Sequence, residues 1–499
     1  MTSIVLTEKP SVARDIARVV GASSKGDGFF HGNGYAVTWA LGHLVELQEP
    51  HEMDAAWKRW SFDALPMLPS TWPTRVVERT KQQFRIVKKV LHARTATEII
   101  AATDAGREGE LIFRLIYDAT GCTLPVKRLW ISSLTDAAIQ DGFRKLRDGA
   151  DYEPLAAAAR GRSRADWLVG MNLSRAYSLA FDGGFSVGRV QTPTLAMLVA
   201  REKAIREFVP ETYFEVKARF DDDEDDASYF GTLMREMTDE EKKAAAAKHA
   251  EEQAEPGAKK KRKPSTTTTR FTDEAEAKRL CDLVKGKDAV VAKVGREQKK
   301  MPSPKLYDLT ELQRHANRLY GMTAEQTLKT AQSLYQEKKL LTYPRTDSRF
   351  VSRDVADKLG GPLNAIRHRY DDEQLHPSTG AKLSKRFVDD AKVTDHHAIL
   401  PTDKNASGMS LSRDEERIYD LVCRRLLQAW HDPWVTSTTT VHTDVDVDEK
   451  KPLTFVSKGT EEVDKGWKVL DVVTKKKKDD DDEPLPSGIA KGQPKTAGD

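Results

Sequence analysis

Apolar residues near the start of the chain come in short runs separated by helical periods. Ile4-Val5-Leu6 has the look of a buried strand, and Val12, Ile16, Val19 and Val20 follow on one helical face. Ser11 is the expected cap of that helix and Gly21 its stop. Ile99-Ile100-Ala101-Ala102 repeats the strand, and Leu111, Ile112, Leu115 and Ile116 repeat the helix, with Gly121 as its end. Such strand–loop–helix units predict a mostly parallel sheet over 1–150. From 151 to 212 the period is helical through Ala165, Leu168, Val169, Leu173, Ala176, Tyr177 and Ala180. β-type alternation begins at Tyr213-Phe214-Glu215-Val216 and returns over 435–448, on either side of a second helical stretch at 305–400. Residues 238–268, rich in Ala, Lys and Glu, read as an exposed arm or loop insertion, and the charged end from Lys475 as unfolded.

Composition narrows the class. The chain has 499 residues, 39% of them hydrophobic, enough for several cores and for about three or four domains. Charged residues reach 31% but the net charge is only +3, so any nucleic-acid face is a local patch. Cys122, Cys281 and Cys423 are too far apart for a cysteine zinc ribbon or a disulfide framework, which fits a reducing cytoplasm. No apolar stretch approaches the ~20 residues of a membrane span, and Met1–Lys9 has no signal-peptide pattern.

Four segments carry candidate chemistry. Glu8-Lys9 follows the first strand, and Asp104 and Glu108 sit in Thr103–Glu110 between a strand and a helix. Ligands of open α/β sheets bind at these carboxyl ends, so the three acids are expected to converge. Clustered carboxylates suit Mg²⁺, which steers and neutralises a phosphodiester. The plainer alternative is that acids at helix starts complement the helix dipole. In Leu341–Arg349, Pro344 holds Tyr343 extended and Arg345 offers planar donors for a phosphate. A tyrosine needs cationic neighbours or a base to act as a nucleophile, and a Tyr-Pro step is otherwise a common loop element. In Ser186–Leu195, Gly188 permits close backbone approach, Arg189 suits phosphate and Gln191 suits a base or phosphate; the alternative is a helix-entry loop. His396-His397 is a weak metal pair, better suited to hydrogen bonding.

Together these segments resemble the type IA topoisomerases, and topoisomerase III most closely. The likeness is carried, in family order, by Thr7–Ser11, Gly42-His43-Leu44, Asp104–Glu110, Ala165–Gly170, Ser186–Leu195, Asp308–Gln313, Thr342–Asp347 and Asp395–Thr402. The resemblance implies a multidomain α/β and α+β fold whose domains form a ring. Its parts would be a Toprim catalytic domain (1–150), the first part of a helical single-strand-binding domain (151–212) and a β-rich arch (213–302). A helical domain carrying the tyrosine (303–404), the return of the arch (405–470) and a disordered tail beginning an incomplete return to the helical domain (471–499) would follow. It implies an ATP-independent enzyme that cuts one strand through a 5′-phosphotyrosine on Tyr343, passes a strand and religates, relaxing or decatenating DNA. No GxxxxGK[ST] loop is present, in keeping with this. Glu8 would serve as general acid–base, Lys9 and Arg345 would stabilise phosphate charge, and His396 or His397 would assist. Glu8, Asp104 and Glu108 would hold Mg²⁺. His43, Trp60, Arg162, Asp166, Ser186, Gly188, Arg189 and Gln191 would hold the single strand. A monomer in the bacterial cytoplasm, at the nucleoid or on plasmids, is implied, with a helicase as an open partner. Two departures stand out: Gly106 replaces the second acid of the family's Asp-x-Asp-x-Glu, and relatives usually continue past Leu485-Pro486 with a stretch that completes the 151–212 domain. A Toprim-type nuclease and a non-catalytic single-strand-binding remnant are the rival readings.

Overall fold

A computed structural model describes residues 1–132, 134–221, 228–254, 263–393, 396–447, 451–472, 485–486 and 488–498. Lys259–Arg262, Asp395 and the acidic part of the tail lie outside them. The chain divides into two units: Met1–Glu207 with Pro304–His431, and Phe208–Ser303 with Asp432–Asp499. Among the described residues no helix is long and apolar enough to cross a membrane.

The strands of the first unit are β1 (Thr2–Thr7), β2 (Ser24–Lys25), β3 (Phe29–Gly32), β4 (Tyr35–Trp39), β5 (Val45–Leu47), β6 (Thr74–Val76), β7 (Ala96–Ala102), β8 (Val126–Arg128) and β9 (Arg147–Asp148). Seven form one sheet in the order β2-β3-β4-β1-β7-β8-β9. The four central strands β4, β1, β7 and β8 are parallel, as expected, but both edges are antiparallel. The helices up to residue 206 are α1 (Pro10–Val20), α2 (Pro50–Met53), α3 (Lys81–Leu91), α4 (Arg107–Thr120), α5 (Asp136–Arg144), α6 (Glu153–Ala180) and α7 (Gln191–Arg206). Val12 and Ile16 of α1 are buried against the sheet, and Gly21 ends the helix in the left-handed conformation at φ 80°. The expected cap is two residues off: Lys9 is the N-cap and Pro10, not Ser11, opens the helix. Proline suits the first helical position because its fixed φ is already helical and its missing N–H would have no partner there.

The apolar period of 151–212 forms helices, but it does not face a core. In α6 the buried residues are Ala156, Ala159, Trp167, Arg175 and Ser178, while Leu173 and Tyr177 are exposed. No residue of α7 is buried, and Leu195, Met197 and Leu198 stand in solvent.

The second unit holds β10 (Lys217–Asp221), β11 (Ser228–Leu233), β12 (Arg235–Glu236), β13 (Thr267–Thr268), β14 (Asp288–Met301), β15 (Trp434–Val445), β16 (Leu453–Asp464) and β17 (Pro494–Gly498), with helices α8 (Asp239–Ala254) and α9 (Glu274–Val284). A closed barrel runs β10-β11-β16-β15-β14-β17 around Val216, Phe220, Val291, Val441 and Phe455. Three expectations change here. Tyr213–Val216 precedes the strand, with only Phe214 bridged, to Phe271. Part of the proposed loop insertion is the helix α8. The described end of the tail is a strand, not an unfolded stretch: Pro494–Gly498 pairs with both β10 and β14, burying Lys495 and Ala497.

The remaining helices belong to the first unit: α10 (Leu309–Tyr320), α11 (Ala324–Ser333), α12 (Arg353–Ala356), α13 (Gly360–Ile366) and α14 (Arg413–Leu427). The segment expected to turn β-rich at 405 therefore stays helical through Leu427. The Ser412–Glu415 capping box starts α14, and its apolar stripe of Ile418, Leu421, Val422 and Leu426 is buried.

Candidate active site

Register places the first two motifs together. Thr7, the last residue of β1, pairs with Ala102, the last of β7, so Glu8-Lys9 and Thr103–Gly106 leave the sheet at the same end. Gly109 lets α4 close on this loop, since a Cβ there would lie 2.0 Å from the Asp104 carbonyl oxygen. Arg128, fully buried at the end of β8, holds the loop from below. Its Nη1 donates to the carbonyls of Ala101 and Thr103 at 2.8 Å, and its Nη2 to that of Asp104 at 2.9 Å. The buried Glu110 balances the charge, 3.2 Å from Arg128 Nε and 2.8 Å from Arg114 Nε. No feature of the sequence pointed to this Arg–Glu–Arg group.

The three acids are not gathered as one ligand set. Lys9 Nζ lies 3.6 Å from Glu8 Oε1 and 3.4 Å from Asp104 Oδ2. Glu108 is turned to His43, with 2.8 Å between Oε1 and Nε2. Among the described residues no three His, Cys, Asp or Glu side chains stand in metal-holding geometry. The physical reason is local: Lys9 and His43 are the cations nearest to these carboxylates and each draws them its own way. Glu8 and Asp104 do suit a hard cation. Burial, and then the charge of Asp104, raises the proton affinity of Glu8, so negative charge there is incompletely balanced. Mg²⁺ often binds through one or two carboxylates and substrate phosphate, with water completing its shell. The hydrogen bond to Glu108 raises the proton affinity of His43 and lowers that of Glu108, marking a charged pair.

The tyrosine is presented by an irregular segment. After α11 a single π-turn spans Leu334–Lys338, and Lys339 follows in the left-handed region at φ 62°. Lys339 Nζ is fixed to Asp15 of α1 at 2.6 Å. The chain then runs extended, with Thr342 bonded through both N–H and Oγ1 to Leu400. The Tyr343 N–H donates to the Ser132 carbonyl at 3.0 Å. Its ring packs between Tyr335, edge-on at 5.4 Å, and His396 at 4.3 Å. Burial and the charge of Asp104 raise the proton affinity of the phenol; Arg345 opposes them. The guanidinium of Arg345 faces the Gln332 side-chain amide, and with that amide turned so that its oxygen meets the donors, Nε and Nη2 both donate to it at 3.0 Å. The two histidines part company. His396 lies against the tyrosine, while the ring of His397 is buried and its Nδ1 sits 2.6 Å from the Ala398 carbonyl. Adjacent residues of an extended chain face opposite ways, so only His396 reaches the site.

A cleft of about 1610 Å³ joins these groups, lined by Glu8, Lys9, His43, Asp104, Glu108, Tyr343, Arg345 and His396. Of the expected strand-binding residues, His43, Arg162 and Asp166 line it; Trp60, Ser186, Gly188, Arg189 and Gln191 do not. Arg189 is nevertheless tied to the cleft wall through Asp166 Oδ1 at 2.8 Å, and Gln191 Nε2 donates to Ser186 Oγ at 2.9 Å. Trp60 lies under the guanidinium of Arg175 at 5.2 Å. Sequence reading missed Trp72, Arg164 and Trp167 in the wall. Trp72 packs edge-on to Trp167 at 5.6 Å, with Arg164 over its face at 5.4 Å. Trp167 adjoins Asp166 within a segment already singled out, whereas Trp72 has no local signal.

Comparison with known proteins gives the family and the fold. Residues 150–498 match the DNA topoisomerase family and residues 3–134 the Toprim domain. The chain is 40% identical over 469 residues to DNA topoisomerase 3 of Shouchella clausii (strain KSM-K16), covering 93% of this chain and 59% of that protein. It is 39% identical over 470 residues to DNA topoisomerase 3 of Bacillus licheniformis, covering 94% and 59%. It thus spans about three-fifths of the length of these relatives. Full-length topoisomerase I from Thermotoga maritima shares the fold, with a TM-score of 0.64 at 20% identity, over 99% of this chain and 71% of that one. The chain belongs to the DNA topoisomerase family and has the type IA topoisomerase fold, with its Toprim domain at residues 3–134.

Proposed function

We propose that this chain is an ATP-independent type IA topoisomerase whose nucleophile is Tyr343. The observation that carries the reading is the position of its ring against His396, in a cleft that also holds Glu8, Lys9, Asp104 and Arg345. The phenol oxygen attacks the phosphorus of one strand and the P–O3′ bond breaks, leaving a 5′-phosphotyrosine and a free 3′ hydroxyl. One proton leaves the phenol for solvent and one arrives on O3′, so religation is the same exchange reversed. Glu8, with its raised proton affinity, delivers the second proton. Lys9 and Arg345 stabilise charge on the phosphate as it builds. His396 is neutral at physiological pH, since burial pushes its pKa down to about 4, and it serves as a hydrogen-bonding partner of the phosphate. Mg²⁺ held by Glu8 and Asp104 would help to steer and neutralise the phosphodiester.

The substrate is a single-stranded stretch of DNA, cut in the cytoplasm of a bacterial cell. Arg162, Arg164 and Trp72 in the wall offer phosphate donors and a stacking face, and exposed Tyr177, Phe181 and Phe185 continue the aromatic surface along α6 and the turn after it. Passage of a second strand before religation relaxes or decatenates the DNA. Incubation with a single-stranded oligonucleotide and Mg²⁺, followed by denaturation, tests the reading. It expects a protein–DNA adduct that Tyr343→Phe abolishes. Free 5′ ends without attached protein, unaffected by Tyr343→Phe, would point instead to a metal-dependent nuclease.

A further inference from the structure

Trp130 and Ser132 lie between β8 and α5. Ser132 meets the tyrosine segment twice. Its carbonyl accepts the Tyr343 N–H at 3.0 Å, and its Oγ lies 3.0 Å from His396 Nδ1. Two residues earlier, the Trp130 ring runs nearly parallel to His396, 16° apart at 6.4 Å. Trp130 is in turn stacked on Tyr152 at 4.9 Å and covered by the Arg128 guanidinium at 5.1 Å. The rings Tyr335, Tyr343, His396, Trp130 and Tyr152 therefore form one column, with the nucleophile inside it. His396 Nε2 is buried and makes no hydrogen bond among the described residues. The Ala105 backbone is near enough to the ring to favour a proton on it, yet no bond of ordinary geometry reaches Nε2.

A neutral imidazole carries one proton, and the bond made by one nitrogen decides the state of the other. A serine hydroxyl can donate or accept. With the His396 and Tyr343 planes 33° apart and their centroids at 4.3 Å, the face of the imidazole is taken up by the phenol ring, and its edge is left for hydrogen bonding. An anionic phosphate beside the tyrosine needs a donor there.

We propose that Ser132 is a positioning residue for cleavage: its hydroxyl donates to His396 Nδ1, which leaves the proton on Nε2 as a donor to the phosphate that Tyr343 attacks. Trp130, nearly parallel to the imidazole at 6.4 Å, helps to set the plane of the ring. The inference rests on the reading of Tyr343 as nucleophile and His396 as phosphate partner.

The test compares single-turnover adduct formation on a single-stranded oligonucleotide for the full chain, Ser132→Ala, His396→Ala and the double variant. Ser132→Ala keeps the backbone carbonyl that holds Tyr343. It is expected to slow adduct formation on the order of tenfold, part of the ~10²–10⁴ that a positioned proton-bearing group contributes. Oligonucleotide affinity and Tm should stay at the wild-type level. In the His396→Ala background the same substitution should have no further effect. An undiminished loss there would overturn the proposal, because Ser132 would then act without the histidine. A separate measurement stands apart from activity. With ¹⁵N-histidine labelling, His396 in the wild-type chain should carry its proton on Nε2, and Ser132→Ala should mix the two tautomers. A wild-type proton on Nδ1 would contradict the proposal even if adducts form. Absence of adduct in the wild type, with the Nε2 proton present, would sink the nucleophile reading and leave the Ser132–His396 geometry standing.

Discussion

Gly106→Asp would supply the acid that the family usually has at this place, and the geometry says the backbone will accept it. Gly106 is extended at φ 174°, a conformation open to any residue, and a Cβ built there meets no heavy atom within 4 Å. It is also the N-cap of α4 and makes no capping bond. An aspartate there gains a few tenths of a kcal/mol as a cap relative to glycine. Loss of unfolded-state freedom adds about 0.4–1 kcal/mol, and the helix dipole about 0.3–1 kcal/mol. Against these stand Glu8, Asp104 and Glu108, each repelling the new charge by about 0.5–1 kcal/mol under water-like screening. Lys9 and His43 already offset part of that repulsion. The terms cancel to within about 1 kcal/mol, so the metal-free Tm should move by no more than a few degrees. A third carboxylate should then tighten Mg²⁺ binding about tenfold, or 1.4 kcal/mol. Calorimetric titration with Mg²⁺, together with Tm at saturating metal, reads both quantities. A metal-free loss above about 3 kcal/mol would refute the steric argument. Unchanged or weaker Mg²⁺ affinity would refute the placement of the metal at these strand ends.

Other consequences follow from single contacts. Arg128→Met should cost about 3–5 kcal/mol, because Glu110 loses one of its two arginines and the carbonyls of Ala101, Thr103 and Asp104 each lose the guanidinium as a donor; chemical denaturation measures it, and a loss under about 1 kcal/mol would contradict the anchoring role. The imidazolium of His43 is favoured in the folded state, so its contribution to stability is complete below its unfolded pKa of about 6.5 and fades as pH rises through the higher folded value. An NMR titration should place the His43 midpoint above 6.5, and Glu108→Gln should bring it down; a wild-type midpoint below 6.5 would break the pairing argument. Leu195, Met197 and Leu198 face solvent, so changing all three to Gln should leave Tm nearly unchanged while lowering the binding of a hydrophobic dye. A drop of many degrees would mean that this face of α7 is covered.

Much of the Toprim sheet could be read from the chain because its signals are local. The runs at Ile4–Leu6 and Ile99–Ala102 became the paired β1 and β7, and the glycine stops at Gly21 and Gly121 both took left-handed φ. The Tyr-Pro-Arg segment was equally visible. What escaped depends on contacts far apart in sequence. Arg128, between Val126-Lys127 and Leu129, gives no sign that it will hold the Asp104 loop. Periodicity at Leu173 and Tyr177 marked a helix correctly but not which side would find a partner. Pro494–Gly498, short and polar, becomes a strand only because β10 and β14 offer open edges. Glu8, Asp104 and Glu108, all just after strands, are expected to converge on one ligand, yet His43, 65 residues from Glu108, pairs with one of them.

The central claim is that Tyr343 takes up a DNA strand by its 5′ phosphate. The direct measurement is peptide mass spectrometry of the chain after reaction with a short single-stranded oligonucleotide and Mg²⁺, denaturation and nuclease trimming. The expected result is a nucleotide phosphate on the peptide that contains Tyr343, joined through the tyrosine oxygen, with the released fragment ending in a 3′ hydroxyl. An unmodified Tyr343 peptide alongside cut DNA, or a nucleotide on any other residue, would contradict it.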